Sequence, residues 1–214
     1  MMPPMHSEAS SLYGSVRSAT HACVCAMLIL ATTGCEPRST RFQVVDYGPT
    51  GEQGRFFEEF DECCYARHPN GTVDVVARRR GRLMGQEEEP TTQVIHLHCI
   101  WRPVPGSTAV ESTQVNATIS YWILGPLGGV ALEGGGFVFS QENHSRDTLT
   151  GNVESSALRP VRRIGQGPSL FDRVELTGKF RAVHDRRRTI RLINEMKTQF
   201  GPLPRYEAPP PGPF

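Results

Sequence analysis

The chain lacks several features that would assign it to a function class. Its formal net charge is only +1, so no overall attraction to nucleic acid is expected. It has no Cys-x-x-Cys pair, no Gly-x-Ser-x-Gly elbow and no Gly-Lys-Ser/Thr phosphate loop. We therefore predict no catalytic residue and no nucleic-acid partner, and the sequence favours a non-enzymatic protein.

Long apolar runs are scarce as well. The clearest apolar stretch, Ala22–Ala31, has ten residues, whereas a helix that spans a bilayer needs about 20. Ten residues suit the apolar region of an export signal, and Arg17 supplies a positive flank before it. The sequence therefore predicts a signal peptide over residues 1–34.

The residues that end this leader are Thr32-Thr33-Gly34-Cys35. They resemble the bacterial lipobox, in which Leu, a small residue, and Gly or Ala precede the cysteine; Thr32 stands where Leu is usual. The resemblance implies cleavage before Cys35 and a lipid on its thiol. A protein with several acyl chains stays on a membrane, so we expect a lipoprotein of the cell envelope, periplasmic or at the outer surface, with a tether over residues 35–40.

Alternating apolar residues dominate the rest of the chain. In Gln93–Arg102, Thr113–Leu124 and Arg173–Val183 every second residue is apolar, as in strands with one buried face. The first two segments predict a hairpin closed by residues 103–112. Further strands are predicted at Arg41–Tyr47, Thr72–Arg78, Gly129–Ser140 and Leu149–Ala157.

Residues 41–200 are thus predicted to form a single, mainly β domain, either a β-sandwich or a partly open antiparallel barrel, with one or two short α-helices. Apolar residues three and four apart predict a helix within Gly51–Arg67. Asp185 would cap a final helix, for which a strand over Thr189–Ile193 is the alternative. In the helix, the residues predicted to face inward are Ile190, Ile193, Met196 and Phe200.

Glycine and proline indicate two irregular segments. Gly134-Gly135-Gly136 interrupts a predicted strand and indicates a bulge or a sharp bend. Residues 201–214 include six prolines, and such a tail is expected to be extended or disordered.

His96 and His98 are the candidate metal ligands. They lie two residues apart on a predicted strand, so their imidazoles project from the same face. This spacing can hold Zn or Cu if further ligands converge, and His144, His184 and Asp185 are the candidates for that. Two solvated histidines without a metal are the alternative, in which case the protein has no cofactor.

The mature chain would contain three cysteines. Cys63 and Cys64 are adjacent, and a bridge between neighbours is strained. One of them could instead form a disulfide with Cys99, and buried free thiols are the alternative.

From the sequence we therefore expect a membrane-anchored binding or structural module of the cell envelope, whose partner is an envelope polymer or protein. An exported metal-binding protein that uses His96 and His98 is the alternative.

Overall fold

The structure is a computed structural model that describes residues 39–48, 50–82, 90–102, 115–166 and 171–201. These residues belong to one unit of the chain, Pro37–Phe214. Four parts of the chain for which predictions were made lie outside the described residues. They are the signal peptide over residues 1–34, Cys35, the hairpin loop over residues 103–112 and the tail from residue 202.

Nine strands and one helix run through the described residues. Their bounds are β1 Thr40–Gly48, β2 Gly51–Phe60, β3 Glu62–Arg67, β4 Val73–Arg82, β5 Pro90–Cys99, β6 Ala117–Gly125, β7 Gly128–Asn143, β8 Thr148–Gly165, β9 Arg173–His184 and α1 Arg186–Phe200. The fold is thus mainly β with a single short helix, which confirms the predicted fold class.

The strands form one sheet that closes on itself. The order is β2-β1-β9-β3-β4-β5-β6-β7-β8, and β8 also pairs with β9. Strands β3 to β9 therefore make a ring of seven, in which every pairing is antiparallel except the short parallel one between β3 and β9. The predicted architectures were a β-sandwich and a partly open antiparallel barrel; the described strands resemble the barrel, but the ring is closed and one of its pairings is parallel.

Buried apolar side chains form two clusters, one on each face of this sheet. The larger cluster draws residues from all nine strands, including Tyr65, Ile95, Tyr121 and Phe180. The smaller cluster lies under α1 and contains Trp122. Because successive side chains of a strand point to opposite faces, one face of each strand fills the ring and the other is free to carry polar groups.

The helix α1 begins as predicted, because the side chain of Asp185 accepts a hydrogen bond from the backbone N–H of Arg188. Its buried residues include Leu192, Ile193, Met196 and Phe200. Ile190, which was predicted to face inward, is 37% exposed. Within the described part of the chain, no helix is long and apolar enough to cross a bilayer.

The predicted helix within Gly51–Arg67 is wrong, because the structure has the strands β2 and β3 there. Phe56 and Phe60, four residues apart on β2, pack on the ring interior at even-numbered positions. Cys63 and Tyr65, two residues apart on β3, do so at odd-numbered positions. The bend at Asp61 shifts this alternation by one residue. The shift leaves a spacing of three between Phe60 and Cys63, which imitates a helical spacing.

The bulge predicted at Gly134-Gly135-Gly136 is also displaced. These glycines pair in regular register with β8, and the irregularities lie on either side of them, between Ala131 and Leu132 and between Phe137 and Val138. Close approach of the backbone explains the glycines instead. A Cβ at Gly134 would lie 1.8 Å from the carbonyl oxygen of Ala157.

Candidate metal centre

The hairpin of β4 and β5 carries polar side chains on its outer face. Val73, Val75 and Ala77 fill the ring, so the residues between them point outward. In the antiparallel register Asp74 pairs with His98, and the next outward residue, Val76, pairs with His96. This register brings one carboxylate and two imidazoles together on one patch of the sheet.

Asp74 is the hub of this patch. Its Oδ1 lies 2.9 Å from Nε2 of His96 and 2.7 Å from Nδ1 of His98. Its Oδ2 lies 2.6 Å from Nε2 of His68. An ionised carboxylate only accepts hydrogen bonds, so each imidazole donates to it. The two oxygens are therefore used differently: Oδ1 by the two strand histidines and Oδ2 by His68 alone.

His68 reaches the patch from the turn between β3 and β4. The turn is closed by hydrogen bonds from the N–H of His68 to the carbonyl of Thr72 and from the N–H of Gly71 to the carbonyl of His68, both 3.0 Å. Gly71 has a φ of +84°, a conformation that glycine adopts without strain. The side chain of Asn70 accepts from the N–H of Thr72, so the backbone that carries His68 is well fixed.

The pKa of Asp74 is lowered from its usual value. Burial raises it, but the hydrogen bonds from His96, His98 and His68 and the charge of His96 together outweigh the burial. The carboxylate is thus ionised and carries its negative charge in a nearly buried position, since the residue is 7% exposed.

The imidazole of His96 is held by an aromatic stack. Its ring lies 5.8 Å from that of Trp122 at an interplanar angle of 12°, and Trp122 is itself buried under α1. The side chain of His98 is 39% exposed, so solvent reaches the patch from its side. Stacking on Trp122 thus fixes the imidazole of His96, while the imidazole of His98 remains accessible to solvent.

The geometry fits a small cation. One ligand atom from each of Asp74, His96 and His98 lies within 4.8 Å of the others. Donors around a tetrahedral Zn²⁺, at about 2.0–2.1 Å from the metal, are about 3.3 Å apart. The hydrogen-bonded separations of 2.7 and 2.9 Å would need to widen by roughly 0.5 Å to accept the ion. Nε2 of His96 and Nδ1 of His98 would also have to give up the protons that they donate to Asp74, because a metal binds the lone pair of a neutral imidazole.

His68 fits the role of an orienting group around such a metal. It bonds to the carboxylate oxygen that faces away from His96 and His98. Hydrogen bonds of this kind fix ligand carboxylates and histidines in known metal sites. The arrangement thus offers three side chains that could hold a metal ion and one side chain that would orient the carboxylate.

The further ligands predicted from sequence do not join His96 and His98. His144 contacts Arg67, His184 lies against the ring of Tyr65, and Asp185 caps α1. Sequence reasoning missed Asp74 and His68 as partners. Alternation in the predicted second strand places Asp74 outward, but only the register between β4 and β5 shows that it meets His98.

The cysteines of the described residues are free thiols. Cys63 aligns through Ala77 with Ile95 on β5, four residues before Cys99, which puts the two cysteine Cα atoms on the order of 15 Å apart. Cys64 lies on the opposite face, in the smaller cluster. A disulfide needs Cα atoms about 4.4–6.8 Å apart, so this register favours the alternative of free thiols. Burial raises the pKa of the Cys63 and Cys99 thiols to about 12.

Comparisons with family models, with curated proteins and with solved structures found no match to this chain.

Proposed function

We propose that the protein binds a divalent transition metal, with Zn²⁺ as the ion that suits it best, through Asp74, His96 and His98. The observation that carries the proposal is the convergence of one carboxylate and two imidazoles within 4.8 Å. Zn²⁺ accepts this donor set, and sites with three protein ligands leave a fourth position open. A copper ion is the main competitor, because copper binds imidazole donors tightly.

The electrostatics of the patch support the proposal. The ionised carboxylate of Asp74 offsets part of the charge of a cation, and its low pKa keeps it ionised at neutral pH. A buried charge is costly unless it is paired. A metal ion at Oδ1 would replace the N–H groups of His96 and His98 as the partner of this charge.

A His96→Ala variant tests the proposal. We expect the affinity for Zn²⁺ to fall by at least about 100-fold, because losing a ligand costs more than the 10–100-fold of a supporting residue. The measurement is competition with a chromophoric chelator on metal-free protein, accompanied by elemental analysis of the reloaded protein.

The matched control is His144→Ala, which removes an exposed histidine outside the cluster. This variant should bind Zn²⁺ like the wild type. Equal affinities in wild type, His96→Ala and His144→Ala would show that the metal does not use the cluster.

The supporting role of His68 predicts a smaller effect. A His68→Ala variant should bind Zn²⁺ about 10–100-fold more weakly, because Oδ2 of Asp74 loses its hydrogen bond. A His68→Gln variant retains an N–H donor and is expected to recover part of the affinity. The same chelator competition measures both, and a loss in His68→Ala as large as that in His96→Ala would instead make His68 a ligand.

We further propose that the domain is held at the cell envelope by lipid on Cys35. The apolar stretch Ala22–Ala31 followed by Gly34-Cys35 supports this assignment. A metal site on the outer face of the sheet would then be presented to the envelope space or to the outside of the cell.

Cys35→Ser tests the anchor. In a bacterial host the wild-type protein should sediment with membranes, and the variant should be released because it cannot carry the acyl chains. Fractionation followed by immunoblotting measures this. A Cys23→Ser variant is the control inside the leader, and membrane retention of Cys35→Ser would refute the lipid anchor.

A further inference from the structure

A cavity of about 380 Å³ opens directly beside the proposed metal site. The patch residues form one wall, and the turn residues Asn70 and Thr72 and the helix residues Ile193 and Lys197 complete it. Lys197 is the lysine of the last turn of α1. The same cavity is therefore lined by the proposed metal ligands and by a cationic side chain.

A ligand in this cavity could take the open coordination position of the metal. With three protein ligands, Zn²⁺ keeps a fourth position for water or another ligand. Oδ2 of Asp74 is occupied by His68, so the carboxylate does not fill that position through its second oxygen.

We propose that the cavity binds a small oxyanion. One oxygen of this anion would coordinate the metal, and Lys197 would pair with its negative charge. This inference rests on the metal site proposed above. The charges favour this, because Zn²⁺ and Lys197 together carry +3, whereas the carboxylates of Asp74 and Glu133 supply at most −2. The side-chain oxygen of Asn70 is used by Thr72, so the group that Asn70 can offer a ligand is its amide nitrogen, a donor that suits an anion.

Glu133 is a second carboxyl group that feels the charge of Lys197. The pKa of its half-buried carboxyl is raised by burial, while a hydrogen bond from Ser120 and the charge of Lys197 lower it. Removing this negative charge leaves Lys197 free for the anion. Glu133→Gln should therefore strengthen anion binding, opposite to the effect of losing Lys197.

The experiment uses the full chain loaded with Co²⁺, whose visible spectrum reports its ligands. After the bound cobalt has been measured, acetate and inorganic phosphate are titrated separately, which distinguishes carboxylate from phosphate ligands. We expect saturable spectral changes with at least one anion. Lys197→Met should weaken the binding of that anion at least about tenfold without changing the cobalt content. Lys179→Met is the matched control, and Glu133→Gln should tighten binding.

The outcomes separate the two proposals. Bound cobalt whose spectrum responds to neither anion, or responds equally in wild type and Lys197→Met, would overturn the anion site and leave the metal site standing. Absence of bound cobalt in the wild type would overturn the metal site, and the anion site with it.

Discussion

An Asp74→Asn variant is expected to bind Zn²⁺ at least about 100-fold more weakly than the wild type, because the metal loses its one anionic ligand. The asparagine side chain has nearly the same size, and its oxygen still accepts a hydrogen bond. The sheet should therefore keep its far-ultraviolet circular dichroism while the metal affinity, measured by chelator competition, falls.

The control for this variant is Asp172→Asn, which makes the same exchange at an exposed position outside the cluster. Its Zn²⁺ affinity should equal that of the wild type. An Asp74→Asn protein that binds Zn²⁺ with undiminished affinity would show that Asp74 is only a hydrogen-bond acceptor for the three histidines.

The second large effect is expected in the ring interior. Phe180 is fully buried in the larger cluster. Removal of a buried phenyl side chain typically lowers the free energy of unfolding by about 3–5 kcal/mol. Phe180→Ala should lower the free energy of unfolding by about this amount in a urea titration. The backbone of β8 packs against the phenyl ring of Phe180, since a Cβ at Gly151 would lie 2.5 Å from Cζ of Phe180. The surrounding residues therefore have little freedom to fill the cavity that the substitution leaves.

Val183→Ala on the same strand is the comparison, because Val183 is 54% exposed. Its effect should stay within about 0.5 kcal/mol. Equal losses in the two variants would contradict the division of β9 into an inward and an outward face.

The strands that are read most reliably from sequence are those with unbroken alternation. Ile95, Leu97 and Cys99 on β5 and Ile119 and Tyr121 on β6 all lie in the ring interior, as their spacing of two predicts. Burial of one face imposes this spacing locally, so no knowledge of the neighbouring strands is required.

Alternation fails as a guide where a strand bends or gains a residue. The bend at Asp61 joins two strands whose inward positions are out of phase, and the resulting pattern imitates a helix. On β8 the register shift opposite Phe137 and Val138 moves the inward position so that Leu158 is buried in the larger cluster. These irregularities depend on neighbouring strands, which are distant in sequence.

Sequence alternation predicts only two of the four residues of the candidate site, His96 and His98. The shared face of His96 and His98 follows from their spacing on one strand. Asp74 joins them through the register of β4 against β5, and His68 through the turn that precedes β4. Register is set by the whole hairpin, so the sequence spacing between Asp74 and His98 carries no direct sign of their contact.

A crystal structure with bound zinc would test the proposed metal site most directly. Crystals of the full chain grown with Zn²⁺ are measured on both sides of the zinc absorption edge, and the anomalous difference map locates the ion. We predict one strong peak at about 2.0–2.1 Å from Oδ1 of Asp74, Nε2 of His96 and Nδ1 of His98. A fully reloaded protein whose anomalous peak lies away from these three atoms would contradict it.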